Sequence, residues 1–169
     1  MNIAVPGVTT RVAILDDLPA MVALQARAFS PGRFARTAYR VREGGPSLSP
    51  FCRVALIGDR LVAALRMTQI TVGGEAGALL LGPLAVDPDE AGRGYGRRLV
   101  AESMEAATTS GVKLIVLVGD VPYYGRFGFR PVSPGQMRMP GPVDPARLLA
   151  AELQPGALPA FRGLVARAA

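Results

Sequence analysis

Between Leu79 and Phe129 the chain reads LLLGPLAVDPDEAGRGYGRRLVAESMEAATTSGVKLIVLVGDVPYYGRFGF. In order, this is an apolar strand, a Gly-rich turn, an amphipathic helix, a second apolar strand and an aromatic turn. A strand, a helix and a continuous apolar strand in that order make a βαβ unit, which places Lys113 to Val118 as a buried, parallel neighbour of the strand ending at Val86. The turn between them, Gly92-Arg93-Gly94-Tyr95-Gly96, opens the helix. The first N–H groups of a helix have no partner within it, and the helix dipole presents its positive end there, so such a turn favours phosphate. Its glycines allow a ligand close to the backbone. Arg93, Arg97 and Arg98 add positive charge around the same turn. Arginine in a helix's first turn opposes the dipole, so an anion is expected beside it.

Other phosphate-binding motifs do not fit. A P-loop closes on Gly-Lys-Ser/Thr, and Lys113, the one lysine in the chain, lies elsewhere. A dinucleotide fingerprint starting at Gly92 needs a small residue at Arg97, and one starting at Gly94 needs it at Leu99. Composition narrows the field further. The chain has 169 residues, suited to one domain with a real core, and no apolar run long enough to span a bilayer. The N-terminus has no charged segment leading into an apolar one, so a cytoplasmic, soluble protein is expected. Cys52 stands alone and histidine is absent, which excludes an internal disulfide and a Cys/His zinc set, and the carboxylates do not cluster, so no metal is expected. The net charge of +6 is spread along the chain with no run of three arginines, which argues against a nucleic-acid face.

Elsewhere, Thr10 to Leu15 alternates as a first strand, and Asp16-Asp17-Leu18-Pro19 signals a helix start, with Met21, Leu24, Ala28 and Phe29 at helical spacing. The Gly- and Pro-rich segment from Ser30 to Pro50 holds a short helix over Phe34 to Val41. Val54 to Ile57 and Leu61 to Val72 read as strands joined at Gly58-Asp59-Arg60, and Gly73-Gly74 turns into a third strand over Ala76 to Val86. Within that strand Gly82-Pro83 marks either a bulge or an edge, because proline donates nothing to a ladder. The helix from Gly94 to Thr109 carries Leu99, Val100, Ser103, Met104 and Ala107 on one face and Arg98, Glu102 and Glu105 on the other. After Phe129, prolines leave a short helix over Pro145 to Leu153 and a last strand over Leu158 to Val165.

Two blocks together resemble the GNAT superfamily of acyl-CoA-dependent N-acetyltransferases. The first is the strand tripeptide Leu84-Ala85-Val86 followed by Ala91-Gly92-Arg93-Gly94-Tyr95-Gly96, similar to the family's pyrophosphate loop Gln/Arg-x-x-Gly-x-Gly/Ala, with Ala91 where Gln or Arg is usual. The second is Tyr123-Tyr124-Gly125-Arg126-Phe127-Gly128-Phe129, similar to the family's aromatic-Tyr and Gly-Phe block. The resemblance is strong over residues 50 to 130 and weaker toward both ends. It implies one α/β domain over residues 1–169, a mixed, mostly antiparallel twisted sheet of six or seven strands flanked by helices. It further implies acetyl transfer from acetyl-CoA to a primary amine, with Ser30 to Pro50 covering the acceptor pocket and a bulge at Gly82-Pro83 admitting the pantetheine arm.

Carried over residue by residue, the resemblance implies that Ala91, Gly92, Arg93, Gly94, Tyr95, Gly96, Arg97 and Arg98 hold the pyrophosphate and that Leu84, Ala85 and Val86 pair with pantetheine. It gives Leu84 N–H the role of donor to the thioester carbonyl and Tyr124 that of proton donor to the leaving thiolate, with Tyr123 packing beside it. No histidine is available as general base, and the strand LLLGPLAV has no acid. Asp120 is the best-placed carboxylate for that role, and an Asp there is also an ordinary N-cap for the turn that follows. Glu43 and Glu75 lie on loops and are poorer candidates. Leu65, Met67 and Phe127 are candidates to limit acyl length. Two other readings use different chemistry: a sensor that binds acyl-CoA without turnover, and a basic module that binds nucleic acid with a steep salt dependence. Exposed edge strands would allow a homodimer.

Overall fold

The structure, a computed structural model, describes residues 7–29 and 37–169. Its strands are β1 (Val8–Val12), β2 (Arg53–Ile57), β3 (Arg60–Val72), β4 (Glu75–Val86), β5 (Leu114–Val118), β6 (Arg130–Pro131), β7 (Met137–Arg138), β8 (Leu148–Glu152) and β9 (Gly163–Arg167). The helices are α1 (Leu18–Ala28), α2 (Thr37–Arg42), α3 (Tyr95–Thr109) and the single turn α4 (Val121–Tyr124). The sheet runs β1-β2-β3-β4-β5-β8-β6, with β9 added to the end of β3 and β7 beside β9. The β4–β5 pair is parallel, as the βαβ reading requires, and the other pairs along that path are antiparallel.

β5 and the Ala78 to Leu81 part of β4 are apolar without interruption because both faces are covered. Leu65, Met67, Leu79, Leu81, Ile115 and Leu117 pack under Leu99, Val100 and Ala107 of α3. On the opposite face, Ala64 and Ala85 meet Met21 and Leu24 of α1, and Ile70, Ala78 and Leu80 meet Val41 of α2. The tight turn from β3 to β4 depends on Gly73: its φ is +57°, and a Cβ there would run into the carbonyl of Arg162. No helix among the described residues is long and apolar enough to cross a membrane.

Three elements differ from the sequence reading, and a fourth falls partly outside the described residues. The first strand is Val8–Val12, and Ile14 and Leu15, exposed, lead into a 3₁₀ turn instead. The second helix covers Thr37–Arg42, while Phe34 to Arg36 lie outside the described residues. The helix expected over Pro145 to Leu153 is one 3₁₀ turn, Pro145–Arg147, followed by β8. Asp144 caps that turn by accepting from the N–H of Ala146 at 2.9 Å. The Leu148–Glu152 run then gives up its helix propensity to pair with all five residues of β5, which buries its first four residues. Leu158–Ala160 is likewise a 3₁₀ turn, and the last strand begins only at Gly163.

Candidate active site

The ladder between β4 and β5 stops early. Pairing runs from Ala78 with Leu114 to Leu80 with Val116. Beyond that point β4 continues to Val86 along β3, and β5 continues to Val118 along β8. The cause lies in β4, where Leu65 pairs with Leu84 and Met67 with Leu81, so that Gly82 and Pro83 together face the single residue Arg66. An extra residue bends its strand. The Gly82-Pro83 pair is therefore a bulge in an interior strand, and it opens a gap between two unpaired strand edges.

Backbone polarity in this gap follows from register. Asp87 N–H donates to Val62 C=O at 2.8 Å. In an antiparallel ladder, hydrogen-bonded and non-bonded pairs alternate, so Ala85 bonds to Ala64, whereas Leu84 and Val86 turn their N–H and C=O groups away from β3. Those groups face the gap. Ala85 is committed to β3 by its backbone and to α1 by its side chain, which leaves Leu84 and Val86 as the members of the tripeptide with groups to offer.

At the end of the gap, β4 passes through the 3₁₀ turn Pro88–Glu90 into the Gly-rich turn and α3. Among the described residues, the N–H groups from Gly92 to Arg97 make no backbone hydrogen bond; the first to do so is Arg98, to Gly94 C=O at 3.0 Å. Gly92 and Gly94 have φ of +81° and +82°, and a Cβ at either would meet nothing within 4 Å, so no other part of the protein stands over the turn at these two glycines. Gly96 does a different job. A Cβ there would lie 3.1 Å from Tyr123 Oη and 3.2 Å from Val86 Cγ2, so its absence lets α3 start hard against the wall of the gap.

The charge around this turn is smaller than the three arginines suggest. Arg93 is paired with Glu90 at 3.3 Å, and Arg98 with Glu102 at 3.0 Å. Arg97 has no ion pair among the described residues and is the uncommitted cation of the three. Two buried carboxylates, Asp87 and Glu90, tie the turn to arginines that remain half-exposed. Arg27 of α1 grips both oxygens of Asp87 at 3.0 and 3.1 Å, and Arg60, the first residue of β3, reaches Asp87 at 3.4 Å and Glu90 at 2.7 Å. Asp87 also accepts from Asp89 N–H at 2.9 Å. That backbone bond and the flanking arginines hold its carboxyl below the usual range despite burial.

Across the gap, Asp120 follows the end of β5 and leads into α4, which supplies the tyrosines. The Tyr124 ring lies on Gly119, where a Cβ would come within 2.7 Å of it. It meets Tyr123 edge-on at 4.8 Å between centroids and Phe129 at 5.9 Å. Burial, with Tyr123 and Asp120 adding to it, pushes the Tyr124 phenol up to about 12. Asp120 is not a side-chain cap: its carbonyl accepts from the N–H of Tyr123 and Tyr124, while its carboxylate is 70% exposed and paired through Oδ1 with Arg147 at 3.2 Å. Tyr95 and Phe127 pack against the edge of the core under α3, in which Leu65 and Met67 are wholly buried. Ala91 is exposed, Glu43 bonds through its backbone, accepting from Arg167 and donating to Arg40 C=O, and Glu75 stands at the opposite end of β4.

A second opening lies on the α1/α2 face, against the Gly44 to Pro50 part of the segment expected to cover an acceptor pocket; its arginines are what the sequence reading missed. β2 leaves the edge of β3 at Leu65 and β9 joins it at Ile70. Between them is a cavity of about 290 Å³ lined by Arg42, Gly44 to Pro50, Cys52, Arg66 to Gln69 and Arg167 to Ala169. Arg66 shares the face of Ala64 and Ile70, opposite the bulge. Its presence in the apolar run LVAALRMTQITV was the available signal. Burial, the nearby Arg66 next, draws the Arg42 guanidinium down to about 10, and burial lowers Arg66 as well.

Comparison with known proteins agrees with this architecture. The family model described as acetyltransferase (GNAT) domain matches residues 9–132. The uncharacterized N-acetyltransferase YhbS of Escherichia coli K12 is 29% identical over 160 residues, covering 92% of this chain and 93% of that protein. The crystal structure of Escherichia coli YhbS in complex with CoA superposes with a TM-score of 0.83 at 28% identity, covering 99% of this chain and 93% of that one. A GNAT family acetyltransferase from Brucella melitensis, solved in complex with acetyl-CoA, shares the fold with a TM-score of 0.74 at 23% identity over 97% of each chain. Since the family model spans most of the sequence and includes the bulge, the Gly-rich turn and the tyrosine pair, the chain belongs to the GNAT acetyltransferase family.

Proposed function

We propose that this protein transfers the acetyl group of acetyl-CoA to a primary amine, within one domain over residues 1–169. The observation that carries the reading is the gap between β4 and β5, with the free backbone groups of Leu84 and Val86 along it, the unpaired amides of Gly92 to Arg97 at one end and Tyr124 on its wall. An extended amide chain suits the unpaired edge, as an added strand would. A pyrophosphate suits the amides, with Arg97 as the free cation beside them. The structures of YhbS with CoA and of the Brucella melitensis protein with acetyl-CoA support the same ligand here.

Acetyl-CoA supplies an activated thioester; the chain's residues do the rest. Leu84 N–H donates to the carbonyl oxygen as negative charge develops on it, and its direction is fixed in advance by the ladder. Tyr124 donates to the sulfur as the C–S bond breaks. A phenol at about 12 is a weaker acid than a thiol near 8.5, so Tyr124 acts chiefly as a hydrogen-bond donor and the thiolate takes its proton from solvent. Asp120 keeps Oδ2 without a partner among the described residues and draws the amine's proton away through water. Its carboxylate is exposed and already paired with Arg147, and the amine is taken to arrive largely neutral. Calorimetric titration with acetyl-CoA, against free coenzyme A and a dinucleotide, tests the reading. Selective binding of acetyl-CoA and coenzyme A, followed by amine-dependent thiol release, is expected; equal binding of the dinucleotide would overturn it. A sensor without turnover is not favoured, since the gap holds a half-buried tyrosine that binding alone does not need.

A further inference from the structure

Arg42, Arg66 and Arg167 line one cavity, and among the described residues no Asp or Glu lines it or pairs with any of them. Arg42 Nη1 and Arg66 Nε are shut off from solvent without a hydrogen-bond partner. Arg167 donates to Glu43 C=O at 3.1 Å and fills the space over Gly45, where a Cβ would collide with its side chain, so it closes the loop around the cavity. Arg42 stands over the Tyr39 ring at 5.5 Å. Two guanidinium groups left close together and partly desolvated, with orphaned N–H groups, are costly in the free protein. The forked donors of arginine match a carboxylate or phosphate better than any other ligand group.

Position adds the second argument. Arg66 is the residue of β3 directly opposite the Gly82-Pro83 bulge, which begins the gap assigned to the donor. Ser47 and Thr68 add hydroxyls to the same lining. A volume near 290 Å³ is at the small end of ligand sites, enough for a metabolite-sized molecule.

We propose that this cavity receives the acceptor, and that the acceptor is a small amine carrying an oxyanion, a carboxylate or a phosphate, gripped by Arg42 and Arg66 while its amino group points to the bulge. The inference rests on the acetyl-transfer reading for the role of the amine, but not for the anion site itself. The test is calorimetry on the whole chain saturated with coenzyme A, which blocks the amides of the Gly-rich turn. The probes are N-acetyl-L-glutamate, N-acetyl-L-aspartate and N-acetylphosphoethanolamine, with N-acetylputrescine and N-acetylglutamine amide as controls. At least one acidic probe should bind while the controls do not, the carboxylates and the phosphate showing which oxyanion is preferred. Arg42→Gln and Arg66→Gln should each weaken that binding at least tenfold and leave coenzyme A affinity within twofold, which also reports that the variants fold. Acidic probes that bind no better than the controls, or that bind the variants undiminished, would overturn the proposal. Should coenzyme A itself fail to bind, the same probes are titrated alone, so the two readings fail separately.

Discussion

Tyr124 combines a hydroxyl proposed to meet the leaving sulfur with an almost wholly structural ring, and a single substitution separates the two. The ring rests on Gly119 and meets Tyr123 and Phe129 edge-on, so phenylalanine keeps every packing contact and removes only the oxygen. Tyr124→Phe should lower turnover on the order of 10²-fold, the low end for a group that handles a proton or its hydrogen bond. Acetyl-CoA affinity should stay within about twofold, since the ligand's binding groups lie elsewhere. Steady-state rates with a calorimetric affinity check both, and full activity would remove Tyr124 from the mechanism. The pH dependence has a definite sign. With the phenol raised to about 12, its neutral form persists through the working range and is lost only as pH rises toward that value. No basic limb of the rate profile below that point should therefore disappear in Tyr124→Phe.

At the level of elements, the Gly-rich turn joins the end of β4 to the start of α3, and its glycines are not equivalent. At Gly94 the positive φ disfavours any side chain, and the space over it is open, so an added carboxylate would project where the ligand's phosphates are proposed to sit. Gly94→Glu should lower coenzyme A affinity at least 100-fold, measured by titration, and unchanged affinity would sink the assignment of the turn. The turn was legible in the sequence because glycine spacing reports backbone conformation directly. The bulge was legible because proline is excluded from a paired interior position. What stayed hidden depends on pairings distant in sequence. The LLAAE run has every local reason to be a helix and becomes β8 because β5 needs a neighbour. Arg93 and Arg98 look like ligand cations until Glu90 and Glu102 are found beside them. Arg42, Arg66 and Arg167 come from three separate segments, and only the departure of β2 from β3 before β9 arrives makes room for them together.

Across the whole molecule, three carboxylates tie the outer layers to the sheet, and all three are held below their usual range. Asp17 receives two bonds from Arg11 of β1 at 2.7 and 2.8 Å, which outweigh its burial and fix the turn that leads into α1. Asp87 joins α1 and the β2–β3 turn beneath the Gly-rich turn. Glu102 of α3, where burial pushes upward but is outweighed by the Thr10 and Arg98 bonds and the Arg53 charge, joins that helix to β1 and β2. A carboxylate whose folded pKa is depressed contributes stability that is fully present above its unfolded value and is lost as pH falls through its folded value. Thermal unfolding should therefore be nearly flat from neutral pH down to about 5 and fall steeply below about 4, where the unfolded chain binds protons that the folded one excludes. Asp87→Asn separates this linkage from ordinary destabilisation. The variant loses the charge that Arg27 and Arg60 face, so it should melt earlier at pH 7, yet its melting temperature should fall less steeply between about pH 4 and 2, because one linked proton is gone. An acid slope as steep as that of the unsubstituted protein would mean that Asp87 does not drive acid unfolding and that the network under the Gly-rich turn is incidental to stability.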